Sequence, residues 1–293
     1  MIAIAKKAVL LSAACAALAC KGGPERKLSP AEVRAVKVAA LPAAPDDPAW
    51  SSAPVHPAQL LPQDVVEPRL LAPTTPLVEV QAMTDGKKVA FRLAWAVPAR
   101  SDRTAPNLFS DACAVQVPAN PGRDVPNPMM GEAAQPVEIT YWRAGWQAAV
   151  DGRPEALATL YPNAKVDHYP FESASLAPGS PEQLAMERRY APARAVGNPM
   201  AGPRTSPVQD LVASGPGTLR AAEKGASTGA GKPTATGWAV VIARPLPNGV
   251  APGGRSQVAF AVWQGGKGEV GARKMRTGWI PFAVEGGKEV AQR

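Results

Sequence analysis

Apolar and polar residues alternate along several short stretches of the chain, and this alternation predicts β-strands. The clearest pair, LVEVQAM and KVAFRLAW, flanks the turn residues TDG and predicts a hairpin over residues 77–95. Further strands are predicted from DACAVQVP, PVEITYWRAGWQAAV with a bend at Gly145, GWAVVIARPL, SQVAFAVWQG and RTGWIPFAV. Long helical periodicity is missing.

The 33 prolines and 26 glycines divide the chain into short pieces, as is typical of β-sandwiches and β-barrels. The fold class predicted is therefore all-β, an antiparallel β-sandwich that forms one domain over residues 36–293. Residues 152–235 are polar, rich in proline and poor in alternating stretches, so they are predicted to form a loop-rich insertion.

The N-terminus predicts export. Residues 1–19 have a short basic start, an apolar run and a small-residue end, the pattern of a secretory signal peptide. Cys20 follows at once and resembles a lipoprotein acceptor, so residues 20–35 are predicted to be a flexible leader that is lipid-anchored through Cys20 or simply secreted. The expected location is the periplasm, with membrane contact only through that lipid.

Several common kinds of chemistry are disfavoured. There is no C-x-x-C-H motif for covalent haem, and His56 and His168 have no other good ligand nearby in sequence, so both are expected at the surface or in loops. Cys113 is expected to be a small buried hydrophobe. The net charge is +8, but the basic residues are scattered, so nucleic acid is not expected as a partner.

Seven segments resemble, in order, the haem-b-binding gamma subunits associated with ethylbenzene dehydrogenase, dimethylsulfide dehydrogenase and selenate reductase. They are DDPAW, FSDACAVQVP, MGEAAQPVEITYW, ARAVGNPM, VQDLVASGPGTL, GWAVVIARPL and VAFAVWQGGKGEVGARKMRTGW. The resemblance covers nearly the whole chain after the leader. It implies a β-sandwich that holds one haem b noncovalently, with a methionine and a lysine as axial ligands of the iron.

The family's methionine falls on Met130, and Gly131 behind it would let the backbone turn close to a bulky planar group. Met129 is one residue away and would point elsewhere in an extended chain. Met200, in GNPM, is a further candidate without the following strand pattern.

The family's lysine falls on Lys274. Its neighbour Met275 would face the opposite way in a strand, and the sequence cannot decide which of the two faces the haem. Lys267, in the glycine-rich turn before it, is the other lysine of this segment and is expected to be a solvated charge.

The resemblance implies electron transfer and no catalysis by the chain alone. Its expected partners are a molybdopterin-containing catalytic subunit, an iron–sulfur subunit and a soluble c-type cytochrome. One alternative is a haem-free carbohydrate-binding lipoprotein, in which tryptophans stack on sugar rings. The candidates for such stacking are Trp50, Trp142, Trp146, Trp263 and Trp279. Another alternative is a structural lipoprotein that anchors partners without a cofactor.

Overall fold

A computed structural model describes residues 27–120, 124–153, 161–163, 176–177, 179–196, 198 and 204–286. Cys20, His168 and Met200 lie outside the described residues, so the expectations about them stay predictions. Within the described ranges, no helix is both long enough and apolar enough to cross a membrane.

The described part of the chain is mostly β-structure. Its strands are β1 Val33–Lys37, β2 His56–Gln59, β3 Leu61–Pro62, β4 Leu77–Thr84, β5 Lys88–Ala96, β6 Ala112–Pro118, β7 Val137–Arg143, β8 Val208–Ala213, β9 Arg220–Ala221, β10 Thr228–Pro233, β11 Gly237–Pro245, β12 Arg255–Trp263, β13 Met275–Arg276 and β14 Ile280–Val284. Its α-helices are α1 Ala144–Val150, α2 Pro181–Tyr190 and α3 Pro192–Ala195, and its 3₁₀-helices are Pro48–Ser52 and Gly265–Lys267.

Strand β12 divides the hydrogen-bonded strands into two sheets. Its first half pairs with β14 and completes a first sheet in the order β10-β11-β5-β4-β1-β14-β12, in which β2 also pairs with β4. Its second half pairs with β6 and with β13, which gives a second sheet in the order β3-β13-β12-β6-β7-β8-β9. Strand β1 pairs in parallel with both β4 and β14. The predicted all-β sandwich is thus confirmed, although one strand is parallel to its neighbours.

The main core lies between the two sheets. Alternate residues of β6 and β12 are fully or almost fully buried there, including Cys113, which is a free thiol. Across the core, the Phe91 ring of β5 meets the Phe260 ring of β12 with a centroid separation of 6.0 Å. Burial raises the pKa of the Cys113 thiol well above its ordinary value, as expected for a small buried hydrophobe.

Two expectations from the sequence are wrong. The stretch that was expected to continue β7 past Gly145 is helix α1, which turns the chain back so that Gln147 Oε1 accepts hydrogen bonds from Trp142 Nε1 (3.1 Å) and from the Gly231 amide (2.8 Å). His56 is buried in β2, where its Nδ1 lies 2.7 Å from the Ser29 carbonyl oxygen.

Sheet structure also extends into two ranges that were predicted without it. Strand β1 begins inside the predicted leader, and β8, β9 and β10 lie inside residues 152–235. In β10 a Cβ on Gly231 would lie 2.2 Å from a ring carbon of Trp142. Glycine therefore lets the Trp142 ring lie close to the backbone of β10, within a range that the sequence predicted to be a loop-rich insertion.

Candidate functional site

The outer face of the second sheet has a floor of alanines. Ala114 of β6 is paired with Ala261 of β12, and on either side of this pair Ala112 faces Trp263 and Gln116 faces Ala259. Successive side chains of a strand point to opposite faces, so these residues all face away from the main core. Small side chains at the centre of a sheet leave room above them, and a cavity of about 890 Å³ lies there.

Aromatic and aliphatic side chains form the walls of this cavity. The Tyr141 ring makes edge contacts with Trp263 and Trp146, at centroid distances of 5.2 and 5.4 Å. Ile139 and Leu211, on β7 and β8, add apolar surface. The volume lies in the range of about 300–1,000 Å³ that is usual for ligand sites, and a mainly apolar lining is also usual for them.

Lys274 lines this cavity, whereas Met275 points the other way, into the core between the sheets. Lys274 Nζ lies 5.2 Å from the centre of the Trp263 ring. Burial, reinforced by the nearby charge of Arg276, lowers the pKa of Lys274 to about 8. Lys267 is exposed at the end of a 3₁₀-helix and is not among the lining residues.

Met130 reaches the cavity from a tight turn. It has φ 73° and is followed by Gly131 with φ 75°, so two successive residues occupy the left-handed region. A Cβ on Gly131 would lie 2.8 Å from the Gln135 carbonyl oxygen, which is why glycine is required there. The Gly215 amide donates to the Met130 carbonyl oxygen (2.8 Å) and ties the turn to the loop after β8.

Both methionines of the pair border the cavity. The expectation that Met129 would point away is wrong, because residues 128–130 form a turn and the alternation of an extended strand does not apply to them. Met130 packs against the apolar residues of the outer face, and the choice of Met130 over Met129 stays a prediction.

Lys274 and Met130 lie toward opposite ends of the cavity. The register of β12 with β13 and β6 places Lys274, Trp263 and Ala112 side by side on neighbouring strands, in one row across the sheet. The turn that carries Met130 is bound to the far end of β6, where Gln116 Nε2 donates to the Pro128 carbonyl oxygen (3.0 Å). Four strand residues separate these rows, about 13 Å. The alanine floor lies between them.

The charged groups that line the cavity are mostly basic. Arg143, Lys274 and Arg276 are half-buried in its wall. Glu269 is buried, and its carboxylate accepts hydrogen bonds from the Gln264 amide (2.8 Å) and from a threonine hydroxyl. Burial raises the pKa of Glu269, which favours its neutral form. A ligand with negative charge on its periphery would complement this lining.

The sequence prediction missed Tyr141, the alanine floor and Arg276. The signal was present, because VAFAVW and ACAVQV place alanine at every second position opposite large core residues. Of the five candidate tryptophans, Trp146 and Trp263 line the cavity, and Trp279 packs beside it and donates to the Pro126 carbonyl oxygen (2.6 Å). Trp50 and Trp142 are buried elsewhere.

Residues 47–189 match the family model described as ethylbenzene dehydrogenase, which confirms the resemblance drawn from the sequence. The matched range contains Met130 and ends before Lys274. A candidate respiratory nitrate reductase heme subunit from Haloferax mediterranei is 25% identical over 249 residues, which are 82% of this chain and 68% of that protein.

Two solved structures are similar in fold at 10% identity. One is a family 9 carbohydrate binding module from Caldicellulosiruptor kristjanssonii in complex with cellotriose, with a TM-score of 0.43 over 89% of this chain and 97% of that chain. The other is a candidate carbohydrate-binding protein from Bacteroides uniformis, with a TM-score of 0.44 over 88% of this chain and 100% of that chain. At these scores neither likeness carries an argument about this chain.

Proposed function

From the match to the ethylbenzene dehydrogenase family model and the geometry of the cavity, we propose that this chain is a haem-b-containing electron-transfer subunit of an oxidoreductase complex. One observation carries the proposal: Lys274 and Met130 approach an apolar, alanine-floored cavity from its two ends. The name of the Haloferax relative, a candidate heme subunit, supports the same cofactor class.

The lining residues fit such a cofactor. A thioether sulfur can ligate haem iron, and an amine can do so once it has lost its proton. Burial and the charge of Arg276 lower the pKa of Lys274 and so reduce the cost of losing that proton. The alanine floor and the rings of Tyr141 and Trp263 give the space between Lys274 and Met130 a mostly apolar lining that would suit a macrocycle.

The pair of ligands also favours electron transfer over catalysis. Bound haem b would supply one-electron oxidation and reduction of iron. Lys274 and Met130 would both hold the iron, and two protein ligands suit electron transfer better than the binding of a substrate or of O₂. A methionine ligand tends to raise the reduction potential of haem iron, so Met130 would make the site a ready electron acceptor.

The partners and the location belong to the same proposal. Catalysis would reside in a molybdopterin-containing subunit, and an iron–sulfur subunit and a soluble c-type cytochrome would exchange electrons with this chain. The signal-like sequence at residues 1–19 supports a periplasmic location, and Cys20 supports a lipid anchor. An intact mass that includes a diacylglyceryl group on Cys20 would test the anchor, whereas an unmodified chain starting there would contradict it.

Carbohydrate binding is the second candidate, because Trp146 and Trp263 line the cavity. The Trp146 ring is already engaged by a cation, because the Arg204 guanidinium lies 3.6 Å from its centre. One face of that ring is therefore covered, which makes it a poorer stacking platform for a sugar and favours the haem proposal.

The test is to express the chain with haem supplied and to record the absorption spectrum of the purified protein. We expect a Soret band, one haem per chain, and complete extraction of the haem by acidified acetone, because the binding is noncovalent. A calorimetric titration with cello-oligosaccharides addresses the second candidate and should give no saturable heat. A colourless protein from haem-replete cells, or haem that resists extraction, would contradict the proposal.

A further inference from the structure

Arg276 is a cation of the cavity wall that has few partners among the described residues. It is half-buried on β13, and it faces Ala261 in the same row of the sheet as Ala114. Its single hydrogen bond among the described residues runs from Nη1 to the Thr277 carbonyl oxygen, at 3.5 Å. Its Nε is buried without a partner in the same part of the chain, where Arg276 also forms no ion pair.

Arg143 Nε and Arg244 Nη1 are likewise buried without a partner in the described part of the chain, but each of these arginines has a strong partner at another nitrogen. Arg143, across the cavity, donates from Nη2 to Thr104 Oγ1 (2.9 Å) and lies over the Trp146 ring. Arg244, outside the cavity, is paired with Glu138. A guanidinium has five donors in a planar fork, and burying such a charge without an acceptor is costly. Arg276 therefore has both the charge and the unused donors to bind an acid group of a ligand.

We propose that Arg276 binds a propionate carboxylate of haem b and so selects a cofactor with free acid groups. This inference rests on the proposed function and adds the residue that recognises the edge of the cofactor. The guanidinium fork matches a carboxylate through two parallel hydrogen bonds, which are stronger than bonds between neutral groups.

The position of Arg276 relative to Lys274 is consistent with this role. Two residues, about 7 Å of strand, separate them, and alternation places both side chains on the cavity side. Lys274 would bind the metal at the centre of the macrocycle. Arg276, on the same strand, would contact the edge of the macrocycle. Within the described lining the nearest acidic candidates are engaged, since Glu67 pairs with Arg69 and Glu269 accepts a backbone amide.

The experiment compares two cofactors that differ only in their acid groups. Cofactor-free protein is titrated with ferric haem b and with its dimethyl ester, and the dissociation constants are read from the Soret band. Because a hydrogen-bonded charge pair is lost, Arg276→Gln should weaken binding of haem b about 10- to 100-fold and leave binding of the ester unchanged. Arg276→Lys, which keeps the charge without the fork, should lie between wild type and Arg276→Gln.

The matched control is Arg273→Gln, which removes the same charge from an exposed residue of the same segment that does not line the cavity. It should bind both cofactors as the wild type does. If Arg276→Gln weakens binding of haem b and of its ester equally, Arg276 has a structural role. If it weakens binding of neither, Arg276 does not contact the cofactor. Either result overturns this inference and leaves the proposed function standing. Wild-type protein that takes up neither cofactor would overturn the proposed function as well.

Discussion

Met130 adopts a backbone conformation that few non-glycine residues accept. Its φ of 73° costs roughly 1–2 kcal/mol relative to the right-handed region, and the turn is fixed by Gly131 behind it and by the Gly215 amide on its carbonyl oxygen. Such strain persists only where the surrounding structure enforces it, and it occurs often at ligand sites. This supports the assignment of Met130, rather than Met129, to the iron.

The first prediction separates the two methionines. Met130→Ala should remove one axial ligand, convert the iron to a high-spin spectrum and lower its midpoint potential, because water or a harder ligand replaces the sulfur. The matched Met129→Ala variant should keep the wild-type spectrum. Absorption and electron paramagnetic resonance spectra of the two ferric proteins check this. A wild-type spectrum in Met130→Ala together with an altered one in Met129→Ala would reverse the assignment.

The lysine assignment is tested in the same way. Lys274→Ala should lower haem retention and change the spin state, because the amine that lines the cavity is lost. Lys267→Ala, which changes an exposed residue outside the lining, should leave both properties unchanged. Haem transfer to an excess of apomyoglobin measures retention. If none of the four alanine variants alters the spectrum, the axial pair is neither Met130 nor Lys274.

A further prediction concerns pH and the cofactor-free protein. The pKa of Lys274 is about 8 in the fold and about 10.4 in the unfolded chain, so between these values the unfolded chain binds the additional proton. The free energy of unfolding should therefore rise with pH across this window, by about 1–3 kcal/mol. Below the window Lys274 is protonated in both states, so its contribution should not change with pH. Urea unfolding at pH 7.5 and 10 measures the change.

Lys274→Met provides the reference for this measurement, because it keeps the length and removes the titrating group. The free energy of unfolding of the wild type minus that of Lys274→Met should become more positive as pH rises. Lys267→Met should follow the wild type at both values. If the wild-type value minus the Lys274→Met value stays constant or falls as pH rises, Lys274 keeps its proton in the fold at alkaline pH.

At the scale of elements, the pattern that predicted the strands also encodes the site. In β6 and β12 the inward residues are mostly large and four of the outward ones are alanine, so one alternation specifies both the core and the floor of the cavity. A larger side chain in the alanine floor should therefore hinder binding of the ligand without disturbing the fold.

The corresponding variant is Ala114→Leu. The extra carbons enter the cavity, so the cofactor-free protein should lose less than about 1 kcal/mol of stability. Overpacking of the bound cofactor should weaken haem binding by roughly 5- to 150-fold, equivalent to the 1–3 kcal/mol typical of such clashes. Soret titration and urea unfolding measure the two quantities. Ala96→Leu, at an exposed position of β5, should change neither, and undiminished haem binding by Ala114→Leu would place the ligand elsewhere.

Much of the sheet could be predicted from the sequence, and the remainder could not for identifiable reasons. The strands β4–β6, β11 and β12 alternate clearly, and their predicted ranges agree with the structure to within a few residues, whereas β7 begins where predicted but ends at Arg143. β10 contains glycines where the Trp142 ring and the Val208 side chain pack against its backbone, and these contacts are long-range. Helix α1 was missed because it is only 7 residues long and follows β7 directly, and because the hydrogen bond from the Gly231 amide to Gln147 Oε1 joins it to a strand far along the chain.

The site was only partly predictable for the same kind of reason. Strand parity around Lys274 depends on where β13 begins, which the sequence does not reveal, and the register of β12 decides that Met275 faces the core. Arg276 was overlooked because an arginine in a strand is ordinarily a surface charge. Its importance appears only once the cavity places it beside the alanine floor, with no acidic partner among the residues that the structure describes.

At the scale of the whole molecule, the cavity and the main core are separate. The core lies between the two sheets, whereas the walls formed by Tyr141, Trp263 and Met130 belong to a distinct apolar cluster on the outer face. Asp111 joins the two sheets, because its carboxylate accepts hydrogen bonds from Trp238 Nε1 on β11 (2.9 Å) and from the Gly265 amide after β12 (2.8 Å). None of these contacts involves the proposed cofactor.

This separation leads to a prediction about removal of the cofactor. The chain freed of haem should keep the circular dichroism of the β-sandwich and unfold cooperatively in urea, because the core between the sheets is complete without a ligand. Adding haem at a thousand times its dissociation constant should raise the free energy of unfolding by about 4 kcal/mol, the amount set by mass action. The double variant Met130→Ala, Lys274→Ala serves as the control and should gain much less from the same haem concentration. A haem-free chain that unfolds without cooperativity and binds dyes for exposed apolar surface would show instead that the cofactor is required to complete the fold.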